Sequence, residues 1–309
     1  MSERSGDAVH VPVLLREVIE QLGAERGGMF LDCTFGGGGH TRAILEASPD
    51  NWVVALDRDA RALERGSKWA ARYGERLTLI HSPFSQAATS VGSAKFDGVL
   101  ADLGMSTDQL HEGRGFSFQD AALDMRMDEN SPITARDFLN SASEKELYIA
   151  LAEGGVGATA RQLARILVSE RPFSSAQELA DLVRSSNLGK DRSTSRVHPA
   201  TVVFQALRMK VNREREEIEE LMQGVPGLIK GDGARLAVIT FHSVEDTLVV
   251  REMRRWEAAG SYPASWRGAR AERKLGRVSP RKPICPTVDE VTRNPASRSA
   301  RLRVFEFGE

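Results

Sequence analysis

The stretch Met29-Phe30-Leu31-Asp32-Cys33-Thr34-Phe35-Gly36-Gly37-Gly38-Gly39-His40 decides how this chain is read. Met29 to Leu31 is a short apolar run of the kind that ends a buried strand. An acid follows it, then four glycines, then a segment of helical character from Thr41 to Ala47. Strand, glycine-rich turn and helix make the layout of a nucleotide-type site, because glycines let the backbone approach a ligand and a helix N-terminus offers N–H groups. A triphosphate loop needs Lys and then Ser or Thr after the last glycine, where His40-Thr41 stands here. A dinucleotide site wants G-x-G-x-x-G, which glycines at 36 to 39 and none at 41 fit poorly. S-adenosylmethionine sites commonly place an acid at the end of the first strand to meet the methionine ammonium group, and Asp32 occupies that place. A glycine-rich surface turn without a ligand is the plain alternative.

Downstream of this stretch, strands and helices alternate. Trp52 to Asp57 is an apolar strand finished by an acid, and Asp57 lies 21 positions beyond Gly36. That is close to the ~20-residue offset at which an acid accepts from a ribose diol. A helix over Ala60 to Ala71 leads to a third strand, Leu77 to His81, and then to Phe84, an aromatic placed to pack beside an adenine. Phe96 to Asp102 is a fourth strand, again ended by an acid. Upstream, the segment from His10 through Ile19 leads into an amphipathic helix ending near Leu22-Gly23. Four strands with helical crossovers predict an α/β fold with a parallel doubly wound sheet, whose ligand groups gather at strand carboxyl ends. Asp32, Asp57, Phe84 and Asp102 all fall there.

Composition narrows the class. The 309 residues are 41% hydrophobic and 28% charged, as in a globular chain. No 18-residue apolar run occurs and residues 1–12 lack a signal pattern, so a cytoplasmic protein without membrane association is expected. Cys33 and Cys285 stand far apart, which argues against a disulfide framework or a cysteine metal site, and no metal is assigned. Net charge is −1 but uneven: Arg251 to Arg303 holds 14 Lys/Arg and 5 Asp/Glu, or +9, leaving −10 for the rest. A basic end on a neutral protein suits a polyanion, although a solvated charged face has the same composition.

After Asp102 the alternation stops for about a hundred residues. Gln109 to Asp128 reads as loop, and mostly helices follow. Ser141 with Glu144, and Ser175 with Glu178, have capping-box spacing ahead of apolar runs, and Ala160 to Ser169 carries apolar residues at helical spacing. A helical insertion above the strand ends would place a lid or substrate platform over the crevice. The sheet pattern then resumes. His198-Pro199 opens a long helix expected to run to about Met222, Leu236 to Phe241 is a fifth strand, and Arg301 to Phe307 is a last strand, read as antiparallel at the sheet's end.

The strings Thr34 to His40, Asp102-Leu103-Gly104, Arg114-Gly115-Phe116-Ser117-Phe118, Leu123-Asp124-Met125-Arg126-Met127-Asp128, His198-Pro199-Ala200-Thr201, Phe204-Gln205-Ala206-Leu207-Arg208, Val211-Asn212, Phe241-His242-Ser243-Val244-Glu245-Asp246, and Asn294-Pro295 with Ser297-Arg298-Ser299 occur in order along nearly the whole chain. Together they closely resemble the bacterial RsmH (MraW) family, the 16S ribosomal RNA cytosine-N4 methyltransferases. The resemblance implies a Rossmann-like S-adenosylmethionine-dependent methyltransferase fold with an inserted helical domain. Its boundaries are expected at 1–104 and 208–309 for the discontinuous methyltransferase domain, and at 105–207 for the substrate-recognition insertion. It further implies S-adenosylmethionine as methyl donor and a cytidine in the decoding region of 16S rRNA, within the small ribosomal subunit, as acceptor. Carried over by position, the donor contacts are Gly38, Gly39, His40, Asp57, Phe84, Asp102 and Gln109. A homodimer is left open. Three departures stand out: Gly154-Gly155-Val156-Gly157 replaces the family's Gly-Glu-Glu, Val202 follows His-Pro-Ala-Thr where the family has Arg, and Thr247 follows Phe-His-Ser-x-Glu-Asp where it again has Arg. They put RNA docking in question rather than donor binding.

Methylating an exocyclic amine needs no cysteine adduct, and Cys285 in Ile-Cys-Pro lacks the context of a ring-carbon methyltransferase. In-line transfer to N4 is expected, accelerated by alignment and desolvation. Asp102 is the first candidate to accept from the amino group. Hydrogen bonding to the donor alone is the alternative. Ser243, Glu245 and Asp246 are weaker candidates for positioning, with helix capping as the alternative for each. The base must leave its stack, so the insertion and the basic C-terminal third would grip flanking RNA. Three rival readings stand beside this one. They are a dinucleotide oxidoreductase, a methyltransferase of the same fold acting on another RNA amine, and a non-catalytic RNA-binding module that retains the donor site.

Overall fold

The computed structural model describes residues 12–106, 109–110, 112–186, 200–258 and 274–308. His10-Val11 and His198-Pro199 lie outside them. The chain divides into two compact units: Met1–Gly104 with Leu221–His242 and Val249–Glu309, and Met105–Glu220 with Ser243–Leu248.

The first unit is an α/β sandwich. Its early elements are α1 (Leu15–Leu22), β1 (Gly28–Asp32), α2 (Gly39–Ala47), β2 (Asn51–Asp57), α3 (Ala60–Ala70), β3 (Leu77–His81), the one-turn α4 (Ala87–Ser90) and β4 (Gly98–Asp102). Seven strands form one sheet in the order β3-β2-β1-β4-β5-β7-β6, with β5 at Arg235–Thr240, β6 at Gly276–Val278 and β7 at Arg301–Phe307. Strands β1 to β5 are parallel, and β7 runs antiparallel to both β5 and β6. Because β1 pairs with β2 on one side and β4 on the other, the winding reverses at β1. In such sheets the crevice for a ligand opens at the carboxyl ends of the strands flanking that reversal. The central strands are apolar on both faces, as helix-covered parallel strands must be. Phe30, Leu31, Val99, Leu100, Ala237 and Ile239 are all at most 1% exposed.

β7 is not the edge of the sheet. The three-residue β6 lies outside it, pairing Gly276 to Val278 with Phe307 to Phe305. Beyond β6 the chain continues irregularly along β7, with Ser279 N bonded to Val304 O at 3.1 Å and Ile284 N to Leu302 O at 3.0 Å. Pro280 and Pro283 interrupt this edge, which limits its use as a template for further strands.

The second unit is helical. It contains α5 (Ala135–Ser141), α6 (Glu144–Glu153), α7 (Ala160–Ser169), α8 (Ala176–Ser186), α9 (Ala200–Val211), the start of α10 (Glu214–Leu228) and the start of α11 (Ser243–Glu257). Leu139, Leu147, Leu163, Leu167, Leu179 and Leu207 are fully buried in one core. A short helix α12 (Val288–Arg293) belongs to the first unit.

Two local expectations change. The capping box ahead of Leu147 is Ser143 with Glu146, not Ser141 with Glu144. Ser141 is the last residue of α5, where its hydroxyl donates back to Asp137 O at 2.7 Å, and Ala142 is extended, so the new helix starts two residues later. The long helix expected to run to Met222 is two helices. It breaks at Asn212-Arg213, where Arg213 adopts φ 52°. Asn212 turns its side chain to a neighbouring loop: Oδ1 accepts from Met127 N at 2.7 Å and Nδ2 donates to Met125 O at 2.7 Å. The box of Ser175 and Glu178 forms where expected.

Candidate functional site

At the carboxyl end of β1 the chain leaves the sheet at Asp32, which is 1% exposed. Its Oδ1 accepts from Thr34 N at 3.0 Å, and its Oδ2 accepts from the Thr41 hydroxyl at 2.6 Å. Burial raises its pKa, and the bonds from Thr41 and Thr34 offset part of that rise. Asp32 therefore ties the glycine turn to α2 from inside. This differs from the expectation that it faces a ligand ammonium group. Thr34 and Thr41 were assigned no role from sequence, because a hydroxyl beside an acid carries no signal until the turn brings them together.

The turn depends on glycine at two points. Gly36 and Gly38 have φ of 53° and 74°, in the left-handed region that costs other residues energy. A Cβ on Gly38 would stand 2.2 Å from the Trp69 ring. That ring stacks on Phe35 with centroids 5.7 Å apart and planes at 19°, and the Arg42 guanidinium lies 4.6 Å from the indole centroid. Trp69, on α3, thus backs the turn, a contact the sequence did not indicate. Gly39 opens α2, and a Cβ there would fall 2.2 Å from Pro12.

Asp57, at the end of β2, reaches the same turn. Its Oδ2 accepts from Gly36 N and its Oδ1 from Asp59 N, each at 2.7 Å. Burial pushes its carboxyl up to about 6, against those two N–H groups, with the nearby Asp59 and Asp32 carboxylates adding to the rise. Ser82 N bonds Asp57 O at 2.9 Å, which brings the end of β3 alongside, and partly buried Phe84 follows in a single 3-10 turn after Pro83.

Asp102 ends β4. Its backbone N–H donates to the Thr34 hydroxyl at 2.7 Å, and its side chain is 25% exposed. Oδ2 lies 3.6 Å from His40 Nδ1. The other His40 nitrogen is 3.0 Å from Val13 O. A carbonyl only accepts, so Nε2 carries the proton. Gly38, Gly39, His40, Asp57 and Asp102 are thereby linked through the one turn. Gln109 lies in the second unit, 6% exposed, with its Oε1 accepting from Ser106 N at 3.1 Å.

The remaining candidates sit in the second unit. Ser243 is exposed at the start of α11, and Asp246 is 8% exposed. Glu245 is 1% exposed, 3.9 Å from Arg208 Nη2, where it braces that guanidinium. Cys33 is buried, and burial with the adjacent Asp32 pushes its thiol well up, so it behaves as a small apolar residue. Cys285 is exposed.

The donor set fits S-adenosylmethionine. The Asp57 carboxylate has acceptor oxygens of the kind a ribose diol needs, the positive-φ glycines permit close backbone approach, and a Cβ on Gly37 would meet nothing within 4 Å, so the outer side of the turn is open.

Comparison with known proteins places this geometry in context. The family model described as the MraW methylase family matches residues 7–308. A "Ribosomal RNA small subunit methyltransferase H" from Cyanothece sp. is 42% identical over 307 residues, covering 99% of this chain and 97% of that protein. The protein of the same name from Sulfurimonas denitrificans is 39% identical over 305 residues, covering 96% and 98%. That from Nostoc sp. is 42% identical over 299 residues, covering 96% and 92%.

Proposed function

The chain belongs to the MraW methylase family, a family of S-adenosylmethionine-dependent methyltransferases, and on that premise we propose that it methylates N4 of a cytidine in the decoding region of 16S rRNA, acting in the cytoplasm on the small ribosomal subunit. The relatives' names supply the small-subunit RNA. The observation that supports this chemistry is the link between Asp102 and the glycine turn, a partly exposed acid bonded to the backbone segment that would hold the donor. Among the described residues no helix is long and apolar enough to cross a membrane.

Gly38, Gly39 and His40 would hold the donor against the turn, Asp57 would accept from its ribose hydroxyls, Phe84 would cover its adenine, and Gln109 would complete the set. The bound donor supplies an electrophilic methyl group on a sulfonium. The amine of cytosine is a weak nucleophile, because its lone pair is delocalised into the ring. Asp102, as the proposed catalytic residue, accepts an N–H bond from that amine, orients the lone pair in line and takes up the proton released when N4 gains carbon. Direct transfer to N4 leaves no covalent task for Cys285. Alignment and exclusion of water account for most of the rate.

The departures at Gly155-Val156, Val202 and Thr247 motivate one rival, a module that binds donor and RNA without transfer. Tritium transfer from labelled S-adenosylmethionine to small subunits lacking this modification, followed by nucleoside analysis, separates the two. Label in N4-methylcytidine is expected. Label in another nucleoside would discard the acceptor, and donor binding without label would favour the module.

A further inference from the structure

The carboxylate of Glu290 is spent far from its own helix. Thr287 and Glu290 have capping-box spacing at the start of α12, and the Thr287 hydroxyl accepts from Glu290 N at 3.2 Å. In two helices of the second unit with that spacing, the acid accepts in return from its own cap: Asp137 from Thr134 N at 3.1 Å, and Glu146 from Ser143 N at 2.8 Å. Glu290 Oε1 instead accepts from Leu14 N at 2.7 Å, 276 residues away. We propose that Glu290 is a positioning residue for methyl transfer, holding His40 toward Asp102 through the Val13–Leu14 peptide. The inference rests on the reading that Asp102 takes up the proton released at N4.

Both ends of that peptide are in use. Its N–H belongs to Leu14 and donates to Glu290, while its C=O belongs to Val13 and lies 3.0 Å from His40 Nε2. An amide that donates to a charged acceptor at one end accepts more strongly at the other, because both bonds polarise the same group. Glu290 thus strengthens the bond that keeps the proton on Nε2. In the neutral ring Nδ1 is then an acceptor, 3.6 Å from Asp102 Oδ2. When N4 bonds the methyl carbon, the carbon–sulfur electron pair leaves with sulfur and N4 gives a proton to Asp102. The protonated carboxyl is a donor facing Nδ1, so the proton is shared within the pair instead of returning to the amine.

The peptide is also held against its own preference. Leu14 has φ 53° and ψ 34°, in the left-handed region, with its side chain fully buried. A bulky apolar residue stays there only where its surroundings impose it. On one side Pro12 fills the space that a Cβ on Gly39 would need, and on the other Glu290 fixes the Leu14 N–H. The string from Asn294 to Ser299, which has no part in donor binding, fixes α12 in turn. Asn294 N bonds Glu290 O at 2.7 Å, the buried Ser297 hydroxyl donates to Asn294 O at 2.8 Å, and Ala300 N bonds Ser297 O at 2.8 Å, just before β7.

Full-length wild type, Glu290→Ala, Glu290→Gln and Asp102→Ala are compared in single turnover on small subunits at saturating S-adenosylmethionine, with donor affinity and thermal midpoint measured on each. Glu290→Ala should be slower by about fivefold or more, with donor affinity within about threefold of wild type. Glu290→Gln keeps an acceptor oxygen and should run within about twofold of wild type. A merely structural contact would lower the thermal midpoint and leave this rate alone. Imidazole 15N spectra of the same proteins, with the His40 signals assigned by their loss in His40→Gln, supply a second readout. Wild type and Glu290→Gln should show the proton on Nε2, and Glu290→Ala a mixture of tautomers. A wild-type rate from Glu290→Ala, a Gln variant as slow as the Ala variant, or an unchanged His40 spectrum in Glu290→Ala would overturn the role of Glu290 and, with Asp102→Ala still slow, leave the proposed function standing. Wild-type transfer by Asp102→Ala would overturn the reading of Asp102 on which the inference rests.

Discussion

The backbone N–H of Asp102 donates to the hydroxyl of Thr34 at 2.7 Å, so the end of β4 is bonded to the turn that follows β1. These two strands flank the point where the sheet's winding reverses, and this bond joins that from Cys33 N to Leu100 O, at 2.8 Å, in tying their ends together. Thr34→Val keeps the shape and removes the acceptor, leaving the Asp102 N–H without its partner. Methyl transfer at saturating donor should fall about 3- to 10-fold, with stability lower by about 1 kcal/mol in urea unfolding. Unchanged transfer would show that the bond does not position Asp102.

Asp57 should make donor binding depend on pH. Its folded value of about 6 lies above the ordinary 3.8, so the free protein holds this proton more tightly than the unfolded chain does. Stability from this group is therefore full below the unfolded value and declines as pH rises through about 6. Donor binding runs the opposite way, because diol hydroxyls donate to the carboxylate form. Affinity measured by calorimetry should weaken as pH falls through about 6. Asp57→Asn should lose at least about tenfold in donor affinity and flatten that dependence. A pH-independent affinity in the wild type would sink the assignment.

Much of this was legible because strand ends announce themselves. Apolar runs closed by Asp32, Asp57 and Asp102 mark the parallel sheet and its strand ends in the sequence itself, and the period of Ala160 to Ser169 marks a helix with matching ends. What stayed hidden was how polar side chains spend their bonds. Asp32 could be placed at a strand end, but nothing in a linear string shows that Thr34 and Thr41 would enclose it. Two serines two residues apart offer the same capping spacing, and only the extended Ala142 decides between them. Asn212 reads as a helical residue until its long-range bonds to Met125 and Met127 are seen. β6, at three residues, is too short to stand out from a loop.

The Ser143 cap provides a direct check on that choice. Ser143→Ala removes the acceptor of Glu146 N, a bond of 3.2 Å, and should cost about 1 kcal/mol in denaturant unfolding. Ser141→Ala, whose hydroxyl only bonds back to Asp137 O, should cost less than half of that. Equal costs would contradict the observed helix start.

Arg208 and Glu214 form a buried ion pair in the helical unit, with side chains 13% and 8% exposed. Glu214→Ala would remove both short bonds to the guanidinium, of 2.7 and 2.8 Å, while Glu245 stands 3.9 Å away. Removing one partner of a buried pair costs about 3–5 kcal/mol, and chemical denaturation should read a loss on that scale. A loss below about 1 kcal/mol would mean the pair behaves as a surface bridge.

The central claim is that an acid at the end of β4 assists methyl transfer to a cytosine amine. Its most direct test is the single-turnover rate of Asp102→Ala on small subunits at saturating S-adenosylmethionine, with donor affinity measured alongside and the product identified by nucleoside analysis. The account predicts N4-methylcytidine from the wild type and a rate at least about a hundredfold lower from the variant at donor saturation. Wild-type rates from Asp102→Ala, or label in any other nucleoside, would contradict it.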